Sequence, residues 1–305
     1  MVRPNSQRKW RRRGRRGQVA AVATLLGLLL VVTFIANYLS TQLPNQMAVN
    51  DLNHDVLVEN QLARFGALLQ SATDNGATGV QLTQPLSLGS VGLPPFAAAD
   101  SAFTGQPMNG SGAILNYSTT SFVSTVPVPL GTGLIVTLQN TYAPQGQVAY
   151  TQGGVVYAQV GGAPVFIDNP PVTATASGGS VTALRIWLPE FSNHIPSIEG
   201  ANTANLEASL IAYNIVVVSA ATGLSFAPGS TVVLTISSQY AEAWYGYFLA
   251  QNWPGVTVSC SPTGGLACHG PFSPHGGLGR VVLTVPTANL ASLSVTIAVF
   301  ALSIQ

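Results

Sequence analysis

The sequence predicts an α+β protein: a long N-terminal transmembrane and amphipathic helix, followed by a mainly antiparallel β-sandwich ectodomain. Three observations predict it. Val19 to Ala36 is an uncharged apolar run, Asn45 to Ala72 has helical periodicity, and beyond residue 112 many short β-branched runs alternate with turn residues.

The apolar run comes first. A helix of about 20 apolar residues spans a hydrocarbon core of about 30 Å. Eight of the 11 basic residues lie before residue 18: Arg3, Arg8, Lys9, Arg11, Arg12, Arg13, Arg15 and Arg16. The positive-inside rule puts this basic end in the cytoplasm and the remainder outside the cell. From Gln18 onward only Arg64, Arg185 and Arg280 stand against 10 acidic residues. Basic runs also bind nucleic acid, but a run abutting an apolar span is explained by topology, so no nucleic-acid partner is expected. A cleaved secretory signal would need a shorter apolar core and a small-x-small site after it, and no such site follows Ile35.

The chain therefore divides into a basic cytoplasmic leader (1–17), a transmembrane helix (18–38), an amphipathic extension (39–75), a Gly/Pro/Ser-rich connector (76–112) and an extracellular β-region (113–305). In the extension, Val49, Leu52 and Val56 form an apolar stripe, and Val58, Leu62, Phe65 and Leu69 continue it on a drifting face. Asp51, Asp55 and Glu59 then fall on the polar side, free to be solvated. Pro44 is a candidate kink, and Asp74-Asn75-Gly76 is a stop.

Only 7% of the 305 residues are charged, against about a quarter in ordinary soluble domains. The outer surface must then be built from hydroxyls, amides and backbone. Strands are predicted over 113–117, 123–128, 134–139, 147–151, 155–160, 164–167, 183–188, 207–219, 231–238, 256–260, 279–285 and 292–303, with a short one at 79–83. Signals such as Pro144-Gln145-Gly146, Gly178-Gly179 and Pro228-Gly229 separate them. One helix interrupts the strands at Ser237–Phe248. Ser is its expected N-cap, Glu242 falls in its first turn, and Tyr240, Trp244, Tyr247 and Phe248 share one face. That face either plugs an end of the sandwich or forms an aromatic platform for a glycan or partner.

The junction Arg15-Arg16-Gly17-Gln18-Val19-Ala20 resembles the class III signal of archaeal type IV pilin-like proteins. The resemblance implies that a prepilin-type signal peptidase cuts between Gly17 and Gln18 and leaves the helix in the mature chain; an uncleaved signal-anchor is the alternative. Together with Glu59–Ala72 (ENQLARFGALLQSA) and Ser237–Phe248 (SSQYAEAWYGYF), the chain resembles an uncharacterised family of archaeal surface proteins with pilin-like N-termini. This likeness covers residues 15–72 and roughly 231–250 and implies an exported, membrane-anchored surface role without known chemistry.

Residue chemistry adds little to that. Cys260 and Cys268, the only two cysteines, read as a disulfide closing a short hairpin loop. With His269 and His275 they make a tempting metal set, but seven intervening residues are too many for a zinc knuckle. No Gly-x-Ser-x-Gly elbow, Walker or dinucleotide pattern occurs, and nothing local selects a carboxylate pair such as Glu190 and Glu199. No catalytic residue, metal or cofactor is therefore expected, and the chain reads as a non-enzyme. Asn109 and Asn116 head two glycosylation sequons. The functional expectation is a single-pass, pilin-like surface protein acting by self-assembly or adhesion. The alternative is a monomeric tethered module that binds a glycan or envelope partner.

Overall fold

The computed structural model describes residues 7–90, 101–107, 112–129, 132–140, 142–193, 195–200, 202–262 and 278–305. The chain divides into two compact units, Met1–Val49 and Asn50–Gln305. The helical part comprises α1 (Gln7–Asn37), a π-helical turn (Tyr38–Gln42) and α2 (Leu43–Asp74). Among the described residues one helix, near the N-terminus, is long and apolar enough to cross a membrane. In the π turn the Leu43 N–H donates to the Tyr38 carbonyl. The irregularity lies where Pro44 withholds the amide that a regular α-helix would need.

Among the described residues sixteen strands follow: β1 (Gln81–Ser87), β2 (Ser101–Pro107), β3 (Gly112–Ser118), β4 (Val123–Pro129), β5 (Thr132–Leu138), β6 (Gly146–Thr151), β7 (Gly154–Gln159), β8 (Val165–Asp168), β9 (Val172–Ser177), β10 (Ser180–Phe191), β11 (Ile198–Gly200), β12 (Thr203–Ser219), β13 (Thr231–Ser238), β14 (Thr257–Pro262), β15 (Gly279–Pro286) and β16 (Ser292–Ile304). Helix α3 (Ala241–Gln251) sits between β13 and β14. The expected strands are present with shifted ends, while β2, β9 and β11 were not foreseen. The connector carries one strand that was expected, near 79–83, and one that was not. Residues 76–112 carry β1, which pairs antiparallel with β12, and β2, which pairs antiparallel with β5. The second compact unit begins at Asn50.

The strands form three sheets, in the orders β1-β12-β16-β10-β9, β11-β2-β5-β6-β7-β8 and β14-β15-β13-β3-β4. Pairing is antiparallel except between β10 and β16, which run parallel from Ala183↔Ser292 to Phe191↔Phe300. The first sheet contributes to two cores, one on each of its faces. Ala298, Phe300 and Leu302 of β16 share a core with Leu62, Phe65 and Leu69 of α2 and with Leu134, Val136 and Val148 of the second sheet. On the opposite face Leu293 and Val295 join Leu234 and Ile236 of the third sheet and Trp244 of α3. Burial along β16 alternates and changes face midway, from Leu293 and Val295 to Ala298, Phe300 and Leu302. Each fully buried Leu or Phe here contributes about 1.5–3 kcal/mol.

The four helix aromatics are buried: Tyr240 and Trp244 at 0%, Phe248 at 2% and Tyr247 at 8% exposure. Trp244 packs edge-on to Phe166 of β8 at 5.1 Å, and the Tyr247 hydroxyl donates to the Val172 carbonyl at 2.6 Å. The platform reading is thereby corrected: these rings fill the core and offer no face to a ligand. The N-cap differs too. Tyr240 occupies that position, and the Ser238 hydroxyl accepts from the Tyr240 N–H instead of reaching into the helix.

Candidate functional site

Helix α2 carries the arrangement that departs furthest from ordinary amphipathic packing. Its buried face from Asn50 onward runs Asp51, His54, Asp55, Val58, Leu62, Phe65, Leu69 and Ala72, all at 5% exposure or less. Spacings of three and four keep these residues on one stripe. The first three are polar. Val49, Leu52 and Val56, expected as the helix's apolar stripe, are 55%, 49% and 53% exposed. Asp51 and Asp55, expected to be solvated, are inside. Hydrophobic periodicity gave the right stripe for the second half of the helix and the wrong side for the first.

The reason lies in what the helix meets. Opposite Asp51–Asp55 are loop segments with backbone groups to satisfy, and a carboxylate satisfies them better than an apolar side chain. Asp51 accepts from the Ser90 hydroxyl at 3.1 Å and from the Tyr142 N–H at 3.1 Å. Asp55 accepts from the Asn140 amide at 2.9 and 3.1 Å, and that amide also donates to the Pro144 carbonyl. His54 Nε2 lies 3.2 Å from the Ser87 carbonyl, which fixes a proton on that nitrogen. One turn on, Gln61 Oε1 accepts from the Ser87 N–H at 2.9 Å. These contacts tie the helix to the end of β1 and to the β5–β6 connection.

Burial sets the electrostatics. It pushes the Asp55 carboxyl up to about 6, opposed by the Asn140 hydrogen bond and aided by the nearby Asp51 and Glu59. Burial also raises Glu59 and lowers His54. His54 Nδ1 is 3.9 Å from Asp55, but a histidine held below its ordinary pKa is neutral at pH 7, so the two form no ion pair there. At the far end of the helix Asp74 accepts from Arg185 at 3.0 Å in an exposed pair. Close approach shapes the middle: a Cβ at Gly66 would meet the Tyr150 ring at 2.7 Å, so only glycine lets that ring lie against the helix.

The remaining expected sites are placed as follows. Gly17 and Gln18 lie within α1, so the junction is helical backbone. Cys260 is on β14, whereas Cys268, His269 and His275 lie outside the described residues, as does Asn109. Asn116 is on β3, half-exposed, its side-chain carbonyl accepting from Thr125 Oγ1 at 2.8 Å. Among the described residues no group of three or more His, Cys, Asp or Glu side chains is placed to hold a metal ion. A cleft of about 620 Å³ is lined by Thr137, Gln139, Asn140, Gln145, Gln147 and Val160, with no charged side chain. No protein-family model, curated protein or solved structure matches the chain.

Sequence reasoning missed the polar clamp. The signal was present in Asp51, His54 and Asp55, which share one helical face with Val58 and Leu62, but it loses to any scheme that counts only apolar residues.

Proposed function

We propose that the chain is a single-pass surface protein, N-terminus in the cytoplasm, that assembles pilin-like through its N-terminal helix and displays a β-sandwich outside the cell. The observation that carries this reading is the exposed apolar row of Val49, Leu52 and Val56. Leu52 follows the apolar span by more than a dozen residues, so lipid does not account for the row. The buried face of the same helix is already committed to the clamp and core. An apolar helix face outside the bilayer supports packing against other helices of its kind. The layered cores on the two faces of the first sheet support the sandwich, and the Arg16-Gly17-Gln18 junction supports processing by a prepilin-type signal peptidase.

The test is the mature N-terminus of the native membrane protein by mass spectrometry, combined with filament extraction. Gln18 at the N-terminus, together with assemblies that Leu52→Asp abolishes, is expected. An intact Met1 or Val2 would reject processing. Wild-type assembly indifferent to Leu52→Asp would reject the helix row as the contact. The carboxamide-lined cleft favours a second reading, a tethered module for a neutral polyhydroxylated ligand; a glycan array that labels the wild type but not Gln147→Ala would select it. For Cys260 and Cys268 a disulfide is proposed, and thiol labelling of both residues in unreduced protein would remove it.

A further inference from the structure

The cleft lies where β5 leaves the second sheet and β6 enters it. Thr137 is opposite Gln147 and Leu138 opposite Gly146, and the Val160 N–H donates to the Gln145 carbonyl at 3.2 Å. Gln139, Asn140, Gln145 and Gln147 bring carboxamides to its wall, and Val160 brings an exposed apolar side chain. Asn140 differs from its three neighbours. It is 4% exposed, whereas Gln139 and Gln145 are exposed and Gln147 is half-buried.

A surface carboxamide can turn either end to a ligand, but Asn140 has no such choice. Its nitrogen donates to Asp55 Oδ1 and Oδ2 at 3.1 and 2.9 Å, and to the Pro144 carbonyl at 3.1 Å. An ionised carboxylate and a carbonyl only accept, so turning the amide over would set oxygen against oxygen on both sides. The amide protons are thus spent, and the side-chain carbonyl is what Asn140 can offer the cleft. Gln147 has the opposite polarity. Its Oε1 accepts from the Tyr240 hydroxyl at 3.5 Å, which leaves its amide nitrogen as a donor.

We propose that Asn140, held in one orientation by Asp55, makes the cleft select neutral sugars over their uronic-acid counterparts. The inference rests on the tethered-module reading of the cleft, and not on assembly through the helix row. A sugar hydroxyl donates and accepts at once, so neighbouring hydroxyls can satisfy Asn140 and Gln147 together. A carboxylate can only accept. At Asn140 it would meet a carbonyl oxygen with the ionised Asp55 behind it, and no cation compensates: no Lys or Arg occurs between Arg64 and Arg185, the stretch that supplies every cleft residue. An acceptor set against an acceptor loses the bond and keeps the cost of leaving water. A peptide would need apolar pockets for its side chains, and Leu138, the other apolar residue in the wall, is buried.

Asp55 gives the selection a pH dependence. Burial pushes its carboxyl up to about 6, so it is ionised at pH 7.5 and mostly protonated at pH 5. A protonated carboxyl can donate, which lets Asn140 turn its nitrogen outward and meet a uronic carboxylate. The titratable groups around Asp55 are Asp51, His54 and Glu59 on α2 and Tyr157 on β7.

The experiment measures binding of full-length protein in lipid nanodiscs to glucose, galactose and mannose oligosaccharides, beside those of the matching uronic acids. At pH 7.5 the wild type is expected to bind a neutral oligosaccharide at least about tenfold more tightly than its uronic counterpart, and Gln147→Ala to lose that binding. At pH 5, where uronic acids are still ionised, the preference should shrink severalfold. Asp55→Asn should show the reduced preference at both pH values, while His54→Gln and Glu59→Gln keep the wild-type profile. Wild-type protein that binds no neutral sugar, that retains unglycosylated peptides instead, or whose sugar binding survives Gln147→Ala would overturn the cleft reading and the selection with it. Equal binding of neutral and uronic oligosaccharides at pH 7.5, lost in Gln147→Ala, would overturn the selection alone. So would a wild-type preference that does not move between the two pH values, a measurement that needs no variant to fold.

Discussion

The two halves of α2 beyond Asn50 bury the same helical face with opposite chemistry. From Val58 to Ala72 the buried stripe is apolar and meets the side chains of two sheets. From Asp51 to Asp55 it is polar and meets loop backbone, a serine hydroxyl and an asparagine amide. The outward face reverses in step, so that Leu52 and Val56 are left in the open. A helix thus takes its inward face from the surface it meets, and the apolar residues displaced from that face become available to another partner.

The largest effect should come from the apolar half. Phe65→Ala is expected to destabilise the Asn50–Gln305 unit by about 3–5 kcal/mol, read as a fall in the denaturation midpoint. Val56→Ala, on the exposed row, should stay within about 0.5 kcal/mol. Equal losses at the two positions would break the comparison.

Next is Asn140→Ala, which leaves the Asp55 carboxylate buried without its donor. A loss of about 1–3 kcal/mol is expected. The Asp55 titration followed by NMR should also move up, because the Asn140 bond is the contact that lowers it.

The pH response separates the two titrating groups in the clamp. Asp55 is raised from 3.8 to about 6, so the folded state holds that proton more tightly. Its contribution to stability is full below its unfolded pKa and lost as pH rises through about 6. Glu59 is raised and acts in the same direction. His54 is lowered from 6.5, so its contribution is full above 6.5 and lost as pH falls through its depressed pKa. Between pH 7 and 5 these trends oppose. Urea midpoints at the two pH values should show the greatest gain on acidification in His54→Gln, less in the wild type and least in Asp55→Asn. The reverse order would mean that the two buried groups were assigned the wrong sign.

The smallest effect on stability is expected at Leu52→Ser, below about 0.5 kcal/mol for an exposed site, although the same change should reduce the assembly proposed for the helix row. A large stability loss there would show the residue to be buried in the working protein even without partners.

Much of this architecture was legible beforehand. Alternation in Val232-Leu234-Ile236 marks β13, and Asp74-Asn75-Gly76 marks the end of α2, because those signals are local backbone chemistry. Strand β11 has only three residues, too few for any period to register. Strand β2 was hidden in a Gly- and Pro-containing stretch, and β9 in small Thr and Ala residues with little apolar signal. Of the candidate site, the apolar helix residues were visible and their exposure was not.

The sequence by itself determined the uncharged Val19–Ala36 span, the asymmetric charge around it and the succession of short strands, since each depends on neighbours along the chain. The tertiary structure alone decided that Asp51 and Asp55 go inward, that the four helix aromatics are core, and that, among the described residues, β1 flanks β12 only over Thr203–Ser209. Those outcomes depend on which surfaces come to lie opposite. A helical stripe or a strand edge carries no record of that until the chain has folded against it.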